Sequence, residues 1–280
     1  MTGGQKPKVS VIMGVYNCED TIAESIESIL NQTYKNWELI ICDDASTDGT
    51  YAVARRYADH YADKIKLIKN EKNQRLAASL NHCLQYAGGK YIARQDGDDI
   101  SLPRRFEKQV AFLESQSHYH VVGSGMMAFD ENGIRGVRML PSSPGPRIMA
   151  KGTPFCHATI MMRAEVYEAL DGYRVGRRTR RMEDIDLWLR FFEAGYTGYN
   201  LQEALYKVRE DESAFKRRKL SYSIDNAFIV FAACRRLKLP LPDYIYMMKP
   251  IIRGLMPPFI MNKYHKRRLM NEGGGVVKHE

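Results

Sequence analysis

The chain has few cysteines, no paired-cysteine motif and no long uncharged hydrophobic segment. Its five cysteines are scattered over 280 residues without a CxxC pair, a pattern that disfavours zinc sites and disulfide frameworks and is typical of a reducing compartment. Residues 1–8 contain no apolar segment of the kind found in signal peptides. Charges and prolines interrupt residues 244–270, which therefore fall short of the roughly 20 apolar residues of a spanning helix. We expect a cytoplasmic protein.

Charge is distributed unevenly along the chain. The formal net charge is +9. Residues 216–280 hold 14 Lys and Arg against 4 Asp and Glu, a net of +10, so residues 1–215 have a net of −1. A protein that is basic only in its tail is not predicted to bind nucleic acid. The tail itself favours an anionic membrane surface or an acidic protein partner.

Apolar runs alternate with amphipathic segments in the first hundred residues. Helices are predicted between these runs, and Thr21 with Glu24 forms a capping-box pattern at the start of the first. This alternation predicts a mostly parallel sheet with helices on both faces, and ligands beyond the carboxyl ends of its strands. Strands are predicted at Val9–Met13, at Trp37–Cys42, at Ile65–Ile68 and from Tyr91 onward.

The pattern changes after residue 99. A helix is predicted from Pro103 to about Ser115, a pair of strands around the Asn132-Gly133 turn, and an amphipathic helix over Asp184–Ala194. A further helix is predicted over 214–236. We therefore expect a main α/β domain over residues 1–213, with a nucleotide-binding half at about 8–100 and a second half at 101–213. A helical basic tail follows over 214–280.

Three acidic clusters stand at positions where a binding site is expected. Asp43 and Asp44 end one predicted strand, an Asp-Gly-Asp-Asp sequence over 96–99 ends another, and Glu183 with Asp184 begins a helix. Carboxylate oxygens are suitable ligands for Mg²⁺ or Mn²⁺. Each cluster alone has a plainer explanation, because Asp is common in turns and at helix N-termini. None of these explanations accounts for three clusters at one edge of a sheet.

Four segments of the sequence together resemble the inverting family 2 glycosyltransferases, which have the Rossmann-like GT-A fold of nucleotide-diphospho-sugar transferases. The resemblance covers about residues 8–210. It implies a UDP-sugar donor, a divalent metal (Mn²⁺ or Mg²⁺) and a growing exopolysaccharide or lipid-linked glycan precursor as acceptor. The segments are SVIMGVYN (10–17), SILNQTYKNWELIICDDASTDGT (28–50), YIARQDGDD (91–99) and MEDIDLWLRF (182–191).

The resemblance also implies roles for individual residues. Transfer with inversion needs a base that faces the metal-bound diphosphate across the sugar, and Asp184 is the residue expected there, with Glu183 orienting it or the acceptor. On the donor side, the resemblance implies that the Val15 backbone contacts the nucleoside, that Asp44, beside Asp43, contacts the uracil and ribose, and that Arg75 contacts the donor. It also implies that Asp96 and Asp98 form a DxD pair, with Asp98 as the direct metal ligand.

Other basic residues have weaker predicted roles. His157 is a candidate for a phosphate or acceptor contact, or else a hydrogen-bonded structural residue. Arg180 and Arg181 belong to an arginine-rich loop that either closes over a phosphate or is simply solvated. Lys207 and Arg209 occupy positions where the family places basic residues near the donor phosphates. The QxxRW signature of processive members is absent, which favours transfer of a single sugar.

Two rival enzyme classes lack their signatures in this chain. No GxGxxG follows Val9–Met13, which disfavours a dinucleotide dehydrogenase. Met13–Asn17 is not the glycine-rich, basic loop with which nucleotidyltransferases that make sugar nucleotides begin.

The tail region leaves two alternatives open. One is a basic segment that lies on an anionic bilayer, and the other is a pair of helices packed on the main domain with solvated basic faces. The whole chain, tail included, also resembles exopolysaccharide glycosyltransferases of Bacillus biofilms. That resemblance implies a second, non-catalytic role as a flagellar clutch that binds the rotor protein FliG, with the helix from Arg104 to Gln116 as a candidate surface.

Overall fold

The apolar runs of the first hundred residues form four neighbouring parallel strands. In the computed structural model, which describes residues 8–177, 179–210 and 220–255, these strands stand in the order β3-β2-β1-β4. Their bounds are Val9–Val15 (β1), Trp37–Asp43 (β2), Ile65–Lys69 (β3) and Tyr91–Arg94 (β4). The connecting helices are Ile22–Leu30 (α1), Thr50–His60 (α2) and Leu76–Leu84 (α3). The predicted alternation is confirmed.

The second half continues the same sheet with strands of both directions. Its strands are Ile100–Ser101 (β5), Val121–Asp130 (β6), Gly133–Arg138 (β7), Met161–Arg163 (β8) and Gly198–Arg209 (β9). Beyond β4 the order is β8-β6-β9-β5, and β7 pairs with β6. Strand β8 runs antiparallel to β4 and β6, whereas β9 runs parallel to β6 and antiparallel to β5.

Helices of the second half cover the sheet and continue to the end of the described chain. They are Arg105–Ser115 (α4), Ile148–Lys151 (α5), Ala164–Ala169 (α6), Glu183–Glu193 (α7), Leu220–Arg236 (α8) and Met248–Leu255 (α9). Two 3₁₀ helices, His157–Thr159 and Leu241–Met247, complete the set. The predicted helix over 214–236 is observed from residue 220, and its earlier part lies outside the described residues.

Apolar side chains fill both faces of the sheet. Alternate residues of β1 point in opposite directions, so that Val11 and Met13 pack into one buried cluster and Ile12 into the other. Trp188 of α7 is fully buried in the same cluster as Ile12. Helices on both faces, as predicted, leave the carboxyl edge of β1, β2 and β4 as the open edge.

The capping box predicted at the start of α1 does not form. The side chain of Thr21 makes no capping hydrogen bond to α1, and its hydroxyl donates instead to the carbonyl of Gly97 at 3.0 Å. Glu24 pairs with Arg209. Thr21 therefore fastens the start of α1 to a turn 76 residues further along the chain, and Glu24 fastens α1 to the end of β9, 185 residues further along, because these partners come within reach only in the folded protein.

The C-terminal helices are attached to the second half of the main domain. Val230 and Cys234 of α8 share a small buried cluster with Ala150 of α5. Arg147 forms a salt bridge with the buried Asp243 at 2.6 Å. Within the described ranges, no helix is both long enough and apolar enough to cross a bilayer.

Candidate active site

The open edge of the sheet brings the ends of three strands together. The backbone N–H of Asp44, after β2, donates to the carbonyl of Val15, the last residue of β1, at 2.8 Å. Residues 95–99, here called the acidic turn, follow β4. A Cβ on Gly97 would lie 2.8 Å from Cγ1 of Val15, so glycine is what permits the acidic turn to approach β1 this closely.

Side chains hold every carbonyl group of the acidic turn from 96 to 99. The donors are Ser25 to Asp96 (2.7 Å), Thr21 to Gly97 (3.0 Å), Arg209 to Asp98 (3.1 Å) and Gln95 to Asp99 (2.9 Å). Three of the four donors come from outside the turn. The turn is therefore positioned mainly by the surrounding fold.

The three carboxylates of the acidic turn have different surroundings. Asp99 is buried and accepts the backbone N–H of Arg209 at 2.8 Å. Burial and the charge on Asp96 raise its pKa well above the usual value. Asp98 is exposed, and partial desolvation together with Asp96 raises its pKa. Asp99 thus supports the turn, while Asp98 and the partly exposed Asp96 face the open edge.

A buried arginine pairs with the acidic turn and acts electrostatically on the third acidic cluster. Arg94, the last residue of β4, is 2% exposed and forms a salt bridge with Asp96. Burial raises the pKa values of Glu183 and Asp184, and the positive charge on Arg94 opposes both shifts. One buried guanidinium therefore lies within electrostatic reach of both groups of acids.

Glu183 and Asp184, here called the acid pair, are the first two residues of α7. Burial and the neighbouring Glu183 raise the pKa of Asp184 to about 6. Burial also raises the pKa of Glu183, and the charge on Asp96 adds to that rise. Oδ1 of Asp184 accepts the N–H of Ile185 at 2.8 Å. A carboxylate whose pKa lies just below neutrality is suited to accept a proton at pH 7.

The carboxylate of Asp44 shapes the turn that begins α3. Its oxygens accept the side-chain amide of Asn70 (2.8 Å) and the backbone N–H groups of Gln74 (2.8 Å) and Arg75 (2.7 Å). Arg75 has a φ of +75°, a conformation that costs free energy in a non-glycine residue. The predicted donor contacts of Asp44 and of the exposed Arg75 therefore stay predictions, beside a structural role that the sequence did not reveal.

Asp43 is fully buried beside Asp44. Its Oδ2 accepts the N–H of Ser46 at 3.3 Å. Its Oδ1 is buried and has no hydrogen-bond partner within the part of the chain that the structure describes. A buried polar atom without a partner costs free energy, so this oxygen is a candidate acceptor for a donor group of the nucleoside.

His157 lies against α7. Its Nε2 is 2.9 Å from the hydroxyl of Tyr173, and its ring centroid is 5.4 Å from that of Trp188. Burial and the nearby Arg94 lower its pKa well below the usual value, so the imidazole is neutral. These contacts fit the hydrogen-bonded structural alternative, and a phosphate or acceptor contact of His157 stays a prediction.

The other predicted basic residues differ in their exposure and in their surroundings. Arg180 and Arg181 are exposed in the loop before α7, and Arg181 has a φ of +60°. Lys207 is half-buried on β9 opposite Ile100. Arg209 is committed to the acidic turn and to Glu24. Of the remaining arginines in the loop, Arg174 is paired with Asp186, and Arg178 lies outside the described residues.

Arg105 is a buried residue whose hydrogen bonds support the acidic turn. It was not predicted from the sequence. It is fully buried, and burial lowers its pKa to about 10. Its guanidinium donates to the side chains of Gln95, Ser101 and Gln109 and to the backbone carbonyls of Arg94, Ala158 and Ile160. The available signal was weak: Arg105 and Gln109 are polar residues on the apolar face of α4. Arg94 carried a clearer signal, as a charge inside an apolar strand.

No self-sufficient metal cage is present in the described ranges, since none of their His, Cys, Asp and Glu residues form a group of three able to hold an ion. Asp96 and Asp98 are the two carboxylates that face the open edge, and Asp99 is committed to its backbone partner. Two hard oxygen ligands with room for others fit Mg²⁺ or Mn²⁺ in a site that substrate phosphates complete.

Comparison with known proteins identifies the family of this chain. A model of the family described as Glycosyl transferase family 2 matches residues 10–171. EpsE, named as a glycosyltransferase of Bacillus subtilis strain 168, is 73% identical over 274 residues, which cover 98% of this chain and 99% of that protein.

Solved structures of other transferases share the fold. S. aureus TarS 1–349 in complex with UDP-GlcNAc has a TM-score of 0.62 at 19% identity, over 89% of this chain and 82% of that one. The mannosyltransferase PcManGT of Pyrobaculum calidifontis, in complex with GDP-Man and Mn²⁺, has a TM-score of 0.61 at 18% identity, over 96% and 86%. The chain therefore belongs to glycosyl transferase family 2 and is a glycosyltransferase with the GT-A fold.

Proposed function

We propose that this glycosyltransferase is inverting and metal-dependent, and that it moves one sugar from a UDP-sugar to a growing exopolysaccharide or lipid-linked glycan precursor. The observation that carries the proposal is the position of Arg94. Because the guanidinium of Arg94 pairs with Asp96 and its charge also acts on the acid pair, we place the sugar of a donor bound at the acidic turn near Asp184.

The acidic turn is the proposed site of the metal and the diphosphate. Asp98 would hold Mg²⁺ or Mn²⁺ directly, with Asp96 beside it, and the bound ion would stabilise the departing nucleoside diphosphate. Asp96 is already paired through one oxygen with Arg94, which makes Asp98 the better ligand of the two. Lys207 and Arg209, on the neighbouring strand β9, are the proposed basic residues near the phosphates.

The nucleoside is proposed to bind where β1 and β2 end. The candidate groups are the backbone of Val15 and the carboxylates of Asp43 and Asp44, with Arg75 at the rim. The unpartnered Oδ1 of Asp43 supports this placement, because a bound base or ribose would supply the missing hydrogen bond. Uridine is the proposed nucleoside, and guanosine is the alternative that the test must exclude.

Asp184 is the proposed general base. An acceptor hydroxyl attacks the anomeric carbon from the face opposite the diphosphate, a new C–O bond forms, and the bond to the phosphate oxygen breaks. The hydroxyl proton passes to Asp184. Oδ1 of Asp184 already accepts the N–H of Ile185, so Oδ2 is the oxygen that takes the proton. Glu183 helps to keep the pKa of Asp184 raised, and its proposed role is to orient Asp184 or the acceptor. His157, Arg180 and Arg181 are the proposed residues on the acceptor side.

A panel of UDP- and GDP-sugars with Mn²⁺ or Mg²⁺ tests this proposal. We expect release of UDP from one UDP-sugar, and loss of that release in Asp98→Ala and in Asp184→Asn. The Asp184→Asn enzyme should still bind UDP, because the substitution leaves the donor side intact. Asp59→Asn, an exposed acid on α2 that pairs with Arg55, is the matched control and should keep full activity. Equal turnover by Asp184→Asn would refute the assignment of the base.

The second predicted role, binding of the rotor protein FliG, remains a separate proposal. Its candidate surface on α4 has charged groups that are paired within the chain, namely Arg104 with Glu107 and Glu114 with Lys90. Expression of the Asp98→Ala protein in swimming cells tests this role by itself. Arrest of swimming without sugar transfer would establish a binding function that is independent of catalysis, and normal swimming would remove it.

A further inference from the structure

A stripe of apolar side chains on the C-terminal helices is exposed to solvent. Its five residues are Leu241 (83% exposed), Ile245 (72%), Met248 (45%), Ile252 (52%) and Leu255 (66%). Met248, Ile252 and Leu255 are spaced by four and three positions within α9, which is the period of one face of an α-helix. Leu241 and Ile245 lie in the 3₁₀ helix that leads directly into α9. Scattered exposed apolar residues are ordinary, but five of them on two adjoining helices are typical of a contact surface.

A second exposed row lies on α8, which packs against α9. It comprises Ile224 (42% exposed), Phe228 (66%) and Phe231 (38%), spaced by four and three positions. The ring of Phe231 lies 5.8 Å from that of Tyr244, in the 3₁₀ helix that carries part of the first row. We call the two rows together the apolar face.

The helices that carry the apolar face are fixed to the catalytic part. Tyr244, Tyr246 and Met247 pack against the buried cluster of Val230 and Cys234. Arg236, near the end of α8, forms a salt bridge with Glu193, the last residue of α7. The acid pair begins that same helix, about 16 Å away along its axis. The apolar face therefore has a defined position relative to the acid pair.

Charge decides what covers this face. Residues 216–280 have a net charge of +10, and Arg235 and Lys238 are exposed close to the first row. Asp243 is the single acid between residues 226 and 271, and it is buried and paired with Arg147. Residues 220–255 hold five Lys and Arg against two Asp, a net of +3, so a second copy of the chain would bring two basic segments together, which electrostatic repulsion opposes. Apolar rows flanked by basic residues match a bilayer with anionic headgroups.

We propose that the apolar face binds the surface of a bilayer that contains anionic lipids. Leu241, Ile245, Met248, Ile252 and Leu255 enter the boundary between headgroups and acyl chains, and the basic residues beside them contact the headgroups. The chain then lies on the bilayer with its sheet and acid pair on the aqueous side. This inference is independent of the donor, the acceptor and the metal.

Flotation of the full chain with vesicles tests the proposal. We expect binding to vesicles of phosphatidylglycerol and phosphatidylcholine, weak binding to phosphatidylcholine alone, and loss of binding as salt is raised. Ile245→Asp should weaken binding by about tenfold or more, since it removes an exposed apolar side chain that would enter the bilayer and adds a negative charge. Ile134→Asp changes an isoleucine of similar exposure, 60%, on β7, and should bind as the unchanged chain does.

Three results would overturn the proposal. They are equal binding by Ile245→Asp and the unchanged chain, equal binding to anionic and neutral vesicles, and a dimer in sedimentation equilibrium that Ile245→Asp dissociates while vesicles go unbound. The last result would mean that a second copy covers the apolar face. Thermal unfolding of both variants checks that a loss of binding does not come from a loss of fold.

Discussion

The acidic turn and the acid pair are held in place by different kinds of contact. Side chains of α1 and β9, from 71 to 111 residues away in the sequence, donate to the carbonyl groups of the acidic turn. The side chain of Asp184 instead accepts a hydrogen bond from Ile185 beside it, and the helix that carries the pair packs into the core through Trp188. The proposed donor side is therefore held by hydrogen bonds from distant segments, whereas the hydrogen bond at the proposed acceptor side comes from a neighbouring residue.

This difference has a functional consequence. A metal and a diphosphate are the same in every reaction that uses a given donor class, so a rigid site serves them well. Acceptors differ among related enzymes, and a locally built helix start beside a loop is easier to change without damage to the core. We therefore expect substitutions on the donor side to reduce both stability and activity, and substitutions on the acceptor side to act mainly on activity.

Arg105→Met should have the largest effect on the donor side. The substitution leaves the acceptor groups on Gln95, Ser101 and the carbonyl of Arg94 without their buried donor. We expect a loss of about 3 kcal/mol or more in the free energy of unfolding, measured by urea denaturation. Arg104→Met is the control, because Arg104 is exposed and pairs with Glu107 at the surface, and it should cost about 0–1 kcal/mol. Equal losses in the two variants would contradict the support role of Arg105.

Gly97→Ala should disturb the acidic turn directly. A Cβ at this position would lie 2.8 Å from Val15 Cγ1 and 3.0 Å from Cys18 Sγ. We expect a loss of about 1–3 kcal/mol in stability together with weaker nucleotide binding, measured by calorimetry. Gly145→Ala is the control, since nothing lies within 4 Å of the added Cβ there. Unchanged nucleotide affinity in Gly97→Ala would mean that the close approach of the turn to β1 does not matter for the donor.

The pH dependence of activity should report the acid pair. As the proposed base, Asp184 must be ionised to accept a proton, and burial with the neighbouring Glu183 raises its pKa to about 6. Activity should therefore fall as the pH drops through 6, by about tenfold between pH 7 and pH 5. Glu183→Gln removes the neighbouring negative charge that helps to raise this pKa, so the acid limb should move to lower pH. If the acid limb of the pH–activity profile does not move in Glu183→Gln, the limb belongs to another group, such as a carboxylate of the acidic turn.

Arg174→Ala should have the smallest effect. The side chain of Arg174 is 55% exposed, and its partner Asp186 keeps a second salt bridge, with Arg190 at 2.8 Å. We expect about 0–1 kcal/mol in stability and nearly unchanged turnover. A large loss of stability would show that the acceptor side depends on distant contacts as much as the donor side does, and would end the comparison between them.

Much of the fold could be predicted from the sequence because its signals are local. The charge-free run Val9–Met13 and the alternation that follows it predicted the parallel strands, and the Asn132-Gly133 turn predicted the pairing of β6 with β7. Aspartates after β4 and acids at the start of α7 are likewise features of short segments. Residue type and spacing determine such elements within about one turn or one strand.

The sequence alone determined that acids end the strands and begin α7 and that the tail is basic, since those facts depend on which residues are neighbours in the chain. Only the tertiary structure decided that Arg94 and Arg105 are buried, that Thr21 contacts the acidic turn and Glu24 contacts Arg209 instead of capping α1, and that the carboxylate of Asp44 holds the start of α3. The physical reason is the same in each case. A buried charge or a redirected hydrogen bond depends on partners tens of residues away, and those partners are brought within reach only when the chain is folded.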